Sequence, residues 1–291
     1  MAAPVPESYN VASVASGVDG VTITKPTGLA VGDMLVAGIT TVGTSTALET
    51  PSGWTAVNEL QHISGNNNFW YGTYSKIADS GDVAASNFTF RNSADGAMGG
   101  ILIRISNPIN GEPSYDVVGR DTTGDSTPTF TAAGTPITAD SLLIALYSLF
   151  DAPTITYSSY NSTPSKTWTE IAEYTWVVGG YDPVISAAWA NATNVDEITQ
   201  YGATLSNTPS VNVVGALLII SAPTNATGTN TLLSVSPAIF ENAGVEVGGA
   251  GTSALLEVSP SFFDQSGRGT VMPVWTNTDK PATPTWTNQD K

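Results

Sequence analysis

Apolar and polar positions in the first 221 residues fall into short runs of alternating or continuous β-branched and aromatic residues, each closed by Gly, Pro, Asn or Asp. The first half carries such runs at 9–15, 20–24, 33–41, 54–61, 69–78, 87–91 and 99–106, and the second at 127–131, 141–150, 168–177, 184–190, 201–205 and 212–221. Short strands at regular spacing with turn signals between them predict an all-β sandwich or barrel. Met34-Leu-Val-Ala-Gly-Ile39 and Leu142-Leu-Ile-Ala-Leu-Tyr147 are apolar throughout, as strands buried on both faces would be. No window of a dozen residues holds apolar positions at helical spacing without a Gly, Pro or β-branched interruption, so no long helix is expected.

The runs repeat. Gly215-Ala-Leu-Leu-Ile-Ile-Ser221 copies Gly100-Ile-Leu-Ile-Arg-Ile-Ser106 at an offset of 215 − 100 = 115. Thr22-Ile-Thr24 falls against Thr129-Phe-Thr131, and Asp33-Met-Leu-Val36 against Asp140-Ser-Leu-Leu143, both at 107. Pro-Ser-Gly-Trp54-Thr answers Pro164-Ser-Lys-Thr-Trp168-Thr at 114, and Phe88-Thr-Phe90 answers Ala203-Thr-Leu205 at 115. Residues 20–106 and 127–221 therefore read as two related β halves. The expected architecture is a single jelly-roll-like two-sheet sandwich over 1–221, with 107–126 crossing between halves; two separate domains are the alternative.

After Ser221 the character changes. Residues 222–230, Ala-Pro-Thr-Asn-Ala-Thr-Gly-Thr-Asn, read as a linker. Leu232-Leu-Ser-Val-Ser-Pro-Ala-Ile-Phe240 is then repeated as Leu255-Leu-Glu-Val-Ser-Pro-Ser-Phe-Phe263, and Trp275-Thr-Asn-Thr-Asp-Lys280 as Trp286-Thr-Asn-Gln-Asp-Lys291. Each unit is too small for a core of its own, and exposed Trp forfeits a large burial. Residues 231–291 are thus expected to anchor the chain to a partner or to sister copies, with Phe240, Phe263, Trp275 and Trp286 as contacts.

Composition narrows the chemistry. At 291 residues and 41% apolar the chain can bury a sizeable core. Without Cys it has no disulfide, thiolate metal site or Cys nucleophile, and with one His the usual zinc sets are out of reach. A formal charge of −16 repels phosphate and anionic lipid, which disfavours nucleic acid and membrane partners. The segment Met1–Asn10 has no basic start or apolar h-region, so no secretory signal is expected. The longest apolar run, Val213–Ile220, is under half the roughly 20 residues that span a bilayer.

Candidate catalytic groups are few. No glycine-rich phosphate loop opens a helix, which argues against nucleotide chemistry. His62, placed in a loop between two predicted strands, lacks the nucleophile-elbow motif of a Ser-His-Asp hydrolase. Carboxylates are plentiful, but none stands out as a glycosidase pair. Asp79-Ser-Gly-Asp82 and Asp121-Thr-Thr-Gly-Asp-Ser126 could offer oxygens to Ca²⁺, although Asp capping a tight loop is the commoner reason for such a pattern. No catalytic, cofactor or metal residue is assigned. Aromatic clusters are the better lead: Trp70, Tyr71 and Tyr74, and Tyr174, Trp176 and Tyr181, could stack on a glycan or a partner surface, or fill the core. Trp54 and Trp168 occupy matching positions in the halves and read as duplicated core packing.

The succession Val21-Thr-Ile-Thr-Lys-Pro, Val31-Gly-Asp-Met-Leu-Val-Ala, Thr50-Pro-Ser-Gly-Trp-Thr-Ala-Val57, Tyr74-Ser-Lys-Ile-Ala-Asp79, Phe88-Thr-Phe90 and Gly99-Gly-Ile-Leu-Ile-Arg-Ile105 resembles a loose group of bacteriophage β-sandwich proteins. The paired Trp-Thr-Asn ending is similar to tails on phage structural proteins. The resemblance implies a non-enzymatic virion component, either a tail fibre or a capsid decoration or head fibre, assembled in the bacterial cytoplasm as a homo-oligomer beside other virion proteins. A carbohydrate- or receptor-binding tail module, acting in host attachment on a surface glycan, is the alternative it implies. Its motifs carry a fold and no active site.

Overall fold

The computed structural model describes residues 3–15, 19–42, 47–62, 69–92, 96–108, 115–121, 125–134, 136, 140–151, 155–179, 182–192, 195–209 and 213–221. The chain divides into units 1–227 and 228–291. The second unit lies outside the described residues, and so do the whole 222–230 linker and all four anchoring aromatics, Phe240, Phe263, Trp275 and Trp286.

The first half supplies β1 (Val5–Val14), β2 (Gly20–Thr24), β3 (Met34–Val42), β4 (Leu48–Glu49), β5 (Thr55–His62), β6 (Phe69–Ile77), β7 (Asn87–Asn92) and β8 (Ala97–Ser106), with the five-residue α1 (Ser80–Ala84) between β6 and β7. The second supplies β9 (Tyr115–Asp121), β10 (Thr129–Gly134), β11 (Leu142–Asp151), β12 (Tyr157–Thr163), β13 (Thr169–Thr175), β14 (Asp182–Asn191), β15 (Ile198–Leu205) and β16 (Val213–Ile220). The sheets run β1-β8-β3-β6-β5 and β2-β7-β4 in one half. In the other they run β9-β16-β11-β14-β13 and β10-β15-β12, the same order with eight added to every strand number. Both halves are jelly rolls whose fifth strand has joined the larger sheet.

Each half closes its own core. Val21, Ile23, Leu35, Ala37, Ile39, Phe90 and Leu102 pack between the first pair of sheets. Phe130, Leu143, Ala145, Tyr147, Tyr201, Leu217 and Ile219 pack between the second. A third core joins the two five-stranded sheets face to face, with Met34, Val36, Ile101 and Ile103 meeting Leu142, Ile144, Leu146, Ile185 and Leu218. The described body is therefore a stack of three, five, five and three strands. The single core expected from sequence is three, because both halves kept a complete set of strands.

The stack explains the continuously apolar runs. Residues alternate across a strand, so even positions of β3 enter the middle core and odd ones its own sandwich. All nine residues of β3 and all eight of β16 are buried. A strand covered on both faces has no position left for a solvated side chain.

Strand ladders fix which residues correspond. Met34 pairs with Ile105 and Leu142 with Ile220, and the Ala78 and Ala192 amides donate to the carbonyls of Asp33 and Ser141. Leu142 thus answers Met34 at an offset of 142 − 34 = 108, one more than the Asp33–Asp140 alignment expected from sequence. Phe88 and Tyr201 stand opposite Ile23 and Phe130, so Phe88 answers Tyr201 rather than Ala203.

Paired glycines mark where a side chain from the facing sheet lands. A Cβ on Gly100 would come within 3.0 Å of Ile23 Cδ1, and one on Gly215 within 3.0 Å of the Phe130 ring. The larger Phe130 also lies over Gly119, where a Cβ would meet its Cδ1 at 2.9 Å. Gly119 pairs with Gly215 as Ala12 pairs with Gly100. The second half thus replaces the combination Ile23 and Ala12 with Phe130 and Gly119, and core volume is held nearly constant.

Candidate functional site

The aromatic residues singled out in the sequence are mostly spent on packing. Tyr71 and Tyr74 have no accessible surface; Tyr71 belongs to the middle core and Tyr74 to the first sandwich, 5.7 Å from Phe90. A pyranose cannot reach either ring, which removes both as glycan contacts. Trp70 is partly buried against the first sandwich core, and its Nε1–H is enclosed without an acceptor. Trp176, 7% exposed, lies in the middle core beside Tyr174, the two rings stacked at 5.9 Å. Tyr181 is outside the described residues. The core-filling alternative holds for Tyr71 and Tyr74 because β6, buried on both faces over 71–75, puts aromatics inward at odd and even positions alike.

Trp54 and Trp168 hold equivalent places. Trp54 meets Phe88 and Phe90 edge-on at 5.7 and 5.1 Å, and Trp168 packs against the second sandwich core while its Nε1–H donates to Ser162 Oγ at 3.1 Å.

The described aspartates of these segments hydrogen-bond nearby backbone amides. Asp79 caps α1: its Oδ1 accepts the Asp82 amide at 3.0 Å, and Asp82 Oδ2 accepts the Asp79 amide at 2.9 Å, a reciprocal capping box. The Asp82 amide holds the Asp79 carboxyl below its usual pKa. Lys76 Nζ lies 2.7 Å from Asp82 Oδ1, a position a bound cation would contest. Asp121 accepts the Thr129 amide at 2.7 Å and Asp125 the Thr127 amide at 2.7 Å. Among the described residues no three His, Asp or Glu side chains converge as a metal site. His62 ends β5, paired with Phe69, rather than lying in a loop.

A tyrosine cluster fills the second sandwich. Tyr147 lies 5.5 Å from Tyr157, 5.9 Å from Tyr160 and 6.0 Å from Tyr201, and its hydroxyl donates to the Gly202 carbonyl at 3.1 Å. Burial pushes the Tyr147, Tyr157 and Tyr160 phenols well above their usual range. Burial also raises the Glu173 carboxyl, which accepts the Tyr157 amide. Tyr147 and Tyr157 are buried, and Tyr160 and Glu173 are half-buried.

Among the described residues, a groove of mixed chemistry lies at the seam of the sandwiches, where edge strand β1 faces edge strand β13. A groove of about 370 Å³ opens there, lined by Pro6, Glu7, Tyr9, Glu170, Ile171 and Trp189 among others. On β1, Ser8 and Asn10 turn to the small sheet, donating to the Thr27 carbonyl at 2.8 Å and the Lys25 carbonyl at 2.9 Å. Tyr9, Val11 and Ser13 therefore face the other sandwich. Val11 enters the middle core and Ser13 Oγ lies 2.9 Å from the Tyr174 hydroxyl, leaving Tyr9 at the open end, 45% exposed. A register shift between Pro6 and Ser8 makes Glu7 a bulge residue, a device that re-aims a side chain.

Comparison with family models, curated proteins and solved structures finds no match.

The groove's chemistry thus stands on its own residues. Its lining includes Tyr9, Trp189, which also packs against the middle core, and two glutamates. Glu7 accepts the Ser106 hydroxyl at 2.7 Å and Glu170 that of Tyr160 at 3.3 Å. A sequence signal existed in Val5-Pro-Glu-Ser-Tyr9, an alternating edge strand, but nothing along the chain shows that β13 and β14 supply the opposite wall.

Proposed function

We propose that the chain is a non-enzymatic structural component of a bacteriophage particle, a tail fibre or a capsid decoration or head fibre, with residues 1–221 facing outward and 231–291 holding it to the virion or to sister copies. The observation that carries this reading is the use of the aromatics. Those singled out within the described residues pack into three cores, which favours a body that supplies shape. The acidic surface suits crowding of identical copies without adhesion between them. The body and the C-terminal segment also fall in separate units of the chain.

Purified particles, and their separated heads and tails, inventoried by mass spectrometry, test the assignment. A chain cut after residue 225 is expected to remain folded and soluble yet fail to join particles. Normal incorporation of the cut chain refutes the anchoring role.

A second reading, a carbohydrate- or receptor-binding tail module, is favoured by the seam groove alone. A glycan array probed with the intact protein and with Tyr9→Ala tests it, since loss of a wild-type signal in the variant is required.

A further inference from the structure

We infer that this chain cleaves its own Asn107–Pro108 bond, with the side-chain amide of Asn107 as nucleophile, and so converts its two joined halves into two polypeptides. This stands whether or not the chain belongs to a virion.

The first argument is the geometry at the end of β8. Asn107 has φ 54°, a left-handed value that strains a residue with a side chain. It also precedes a proline, whose ring narrows its conformations further. Breaking the bond to Pro108 releases both constraints. Asn107 Nδ2 donates to Ser106 Oγ at 3.2 Å and to the Ala3 carbonyl at 3.5 Å, and the Ser106 hydroxyl donates to Glu7 Oε1 at 2.7 Å. The β1 bulge that holds Glu7 thus sets a carboxylate at the end of a two-step proton path from the Asn107 nitrogen. Glu7 acts through Ser106, as a positioning residue and proton acceptor. Attack by Nδ2 on the carbonyl carbon of its own residue closes a five-membered ring, an intramolecular step favoured by proximity. The competing attack on the Asn side chain by the next backbone nitrogen is closed, because Pro108 has no N–H.

The step balances without a co-reactant. A bond forms from Asn107 Nδ2 to the Asn107 carbonyl carbon, and the bond from that carbon to the Pro108 nitrogen breaks. One Nδ2 proton leaves through Ser106 Oγ toward Glu7, and the Pro108 nitrogen takes up a proton. The products are 1–107 with a C-terminal cyclic imide and 108–291 with a free prolyl amine; water later opens the imide.

The second argument is the place of the bond. Of the 18 prolines only Pro108 follows an asparagine. Strands β1–β8 precede it, β9–β16 follow it, and every sheet draws its strands from one side of it. Cleavage there cuts no ladder, and the middle core keeps the halves together. The duplication supplies a control. Ile220 answers Ile105 by ladder position, so Ser106-Asn107-Pro108 corresponds in sequence to Ser221-Ala222-Pro223. Serine and proline recur while the nucleophile does not, so the end of such a strand does not itself call for asparagine.

The test follows the freshly purified intact protein at neutral pH by mass spectrometry and denaturing gel. The expected products are 1–107 and 108–291, with masses that sum to that of the starting chain until one water adds as the imide opens, eluting together in size exclusion. Asn107→Gly, which suits a positive φ, should stop the reaction. Ser106→Ala and Glu7→Gln should each slow it at least about tenfold, and Glu7→Asp should restore part of the rate. A chain that stays whole, cleavage of Asn107→Gly at the wild-type rate, or a rate unmoved by both Ser106→Ala and Glu7→Gln would each overturn the inference.

Discussion

The seam between the sandwiches turns on one knob. Trp176 follows β13, its amide held by the Pro183 carbonyl at 3.1 Å, and its indole covers Gly99 of β8. A Cβ at Gly99 would lie 2.4, 2.5 and 2.7 Å from three ring carbons, so nothing larger than glycine fits. Trp176→Ala removes a buried indole, a change that costs ~3–5 kcal/mol in protein cores. The Nε1–H is enclosed without an acceptor, and relief of that penalty returns ~1–3 kcal/mol. The net loss is about 2 kcal/mol. Gly99→Ala alone should cost ~1–3 kcal/mol through overpacking. Combined, the new methyl enters the space the indole left, so Gly99→Ala becomes neutral or stabilising in the Trp176→Ala background. The double variant should be more stable than the sum of the singles by about 1–3 kcal/mol. Urea denaturation followed by far-ultraviolet circular dichroism closes the cycle, with the slope checked for constancy. Additivity within ~0.5 kcal/mol would show that the indole does not sit on Gly99.

Three further outcomes follow from the same packing. Gly119→Ala should lose ~1–3 kcal/mol against the Phe130 ring, and Phe130→Ile should recover most of it, since the first half carries Ile23 over Ala12; thermal melts of the three variants decide. Thr40 Oγ1 and Ser148 Oγ meet at 2.7 Å inside the protein, so Thr40→Val should cost ~1–3 kcal/mol by orphaning Ser148, while Thr40→Val/Ser148→Ala should be nearly neutral in denaturant melts. Glu173 has a folded-state pKa raised by burial. The stability tied to its protonated form is complete below the unfolded pKa and is lost as pH rises through the folded one. Glu173→Gln keeps an acceptor for the Tyr157 amide, so its melting temperature should match wild type near pH 4 and exceed it at pH 7; equal values at both would refute the burial argument.

Legibility differed by element. The strands Met34–Val42 and Val213–Ile220 were plain because double burial leaves no polar position. Tyr115–Asp121 was hidden inside the expected 107–126 crossing, since Asp116 and Arg120 bracket only two valines. Tyr-Ser-Ser-Tyr-Asn-Ser-Thr of Tyr157–Thr163 reads as loop, being an edge strand with most of its residues accessible. Those two omissions, with the two-residue Leu48–Glu49, removed the strands that would have shown each half to be complete. Ser80–Ala84 is a single turn set by the Asp79 cap and carries no periodicity to detect. The groove was beyond reach for another reason: its walls lie about 160 residues apart, and only the stacking of the two large sheets joins them.

That stacking has the geometry of a two-fold interface written into one chain. Thr40 and Ser148 are equivalent residues, and they touch each other, which in a symmetric dimer happens only beside the axis. The contact of β1 with β13 is matched by that of β5 with β9, the same pair under the eight-strand shift. Two identical subunits must make the same compromise twice, whereas covalently joined halves need not. Tyr71 places its hydroxyl 3.2 Å from where a Gly38 Cβ would be, while the corresponding positions hold Ile185 and Leu146, a smaller group over a larger one. Gly99 admits Trp176 where its counterpart is Val214. Duplication preserved the framework and released the seam from symmetry, so that Tyr9 and Trp189 stand where the other half has Asp116 and Ser75.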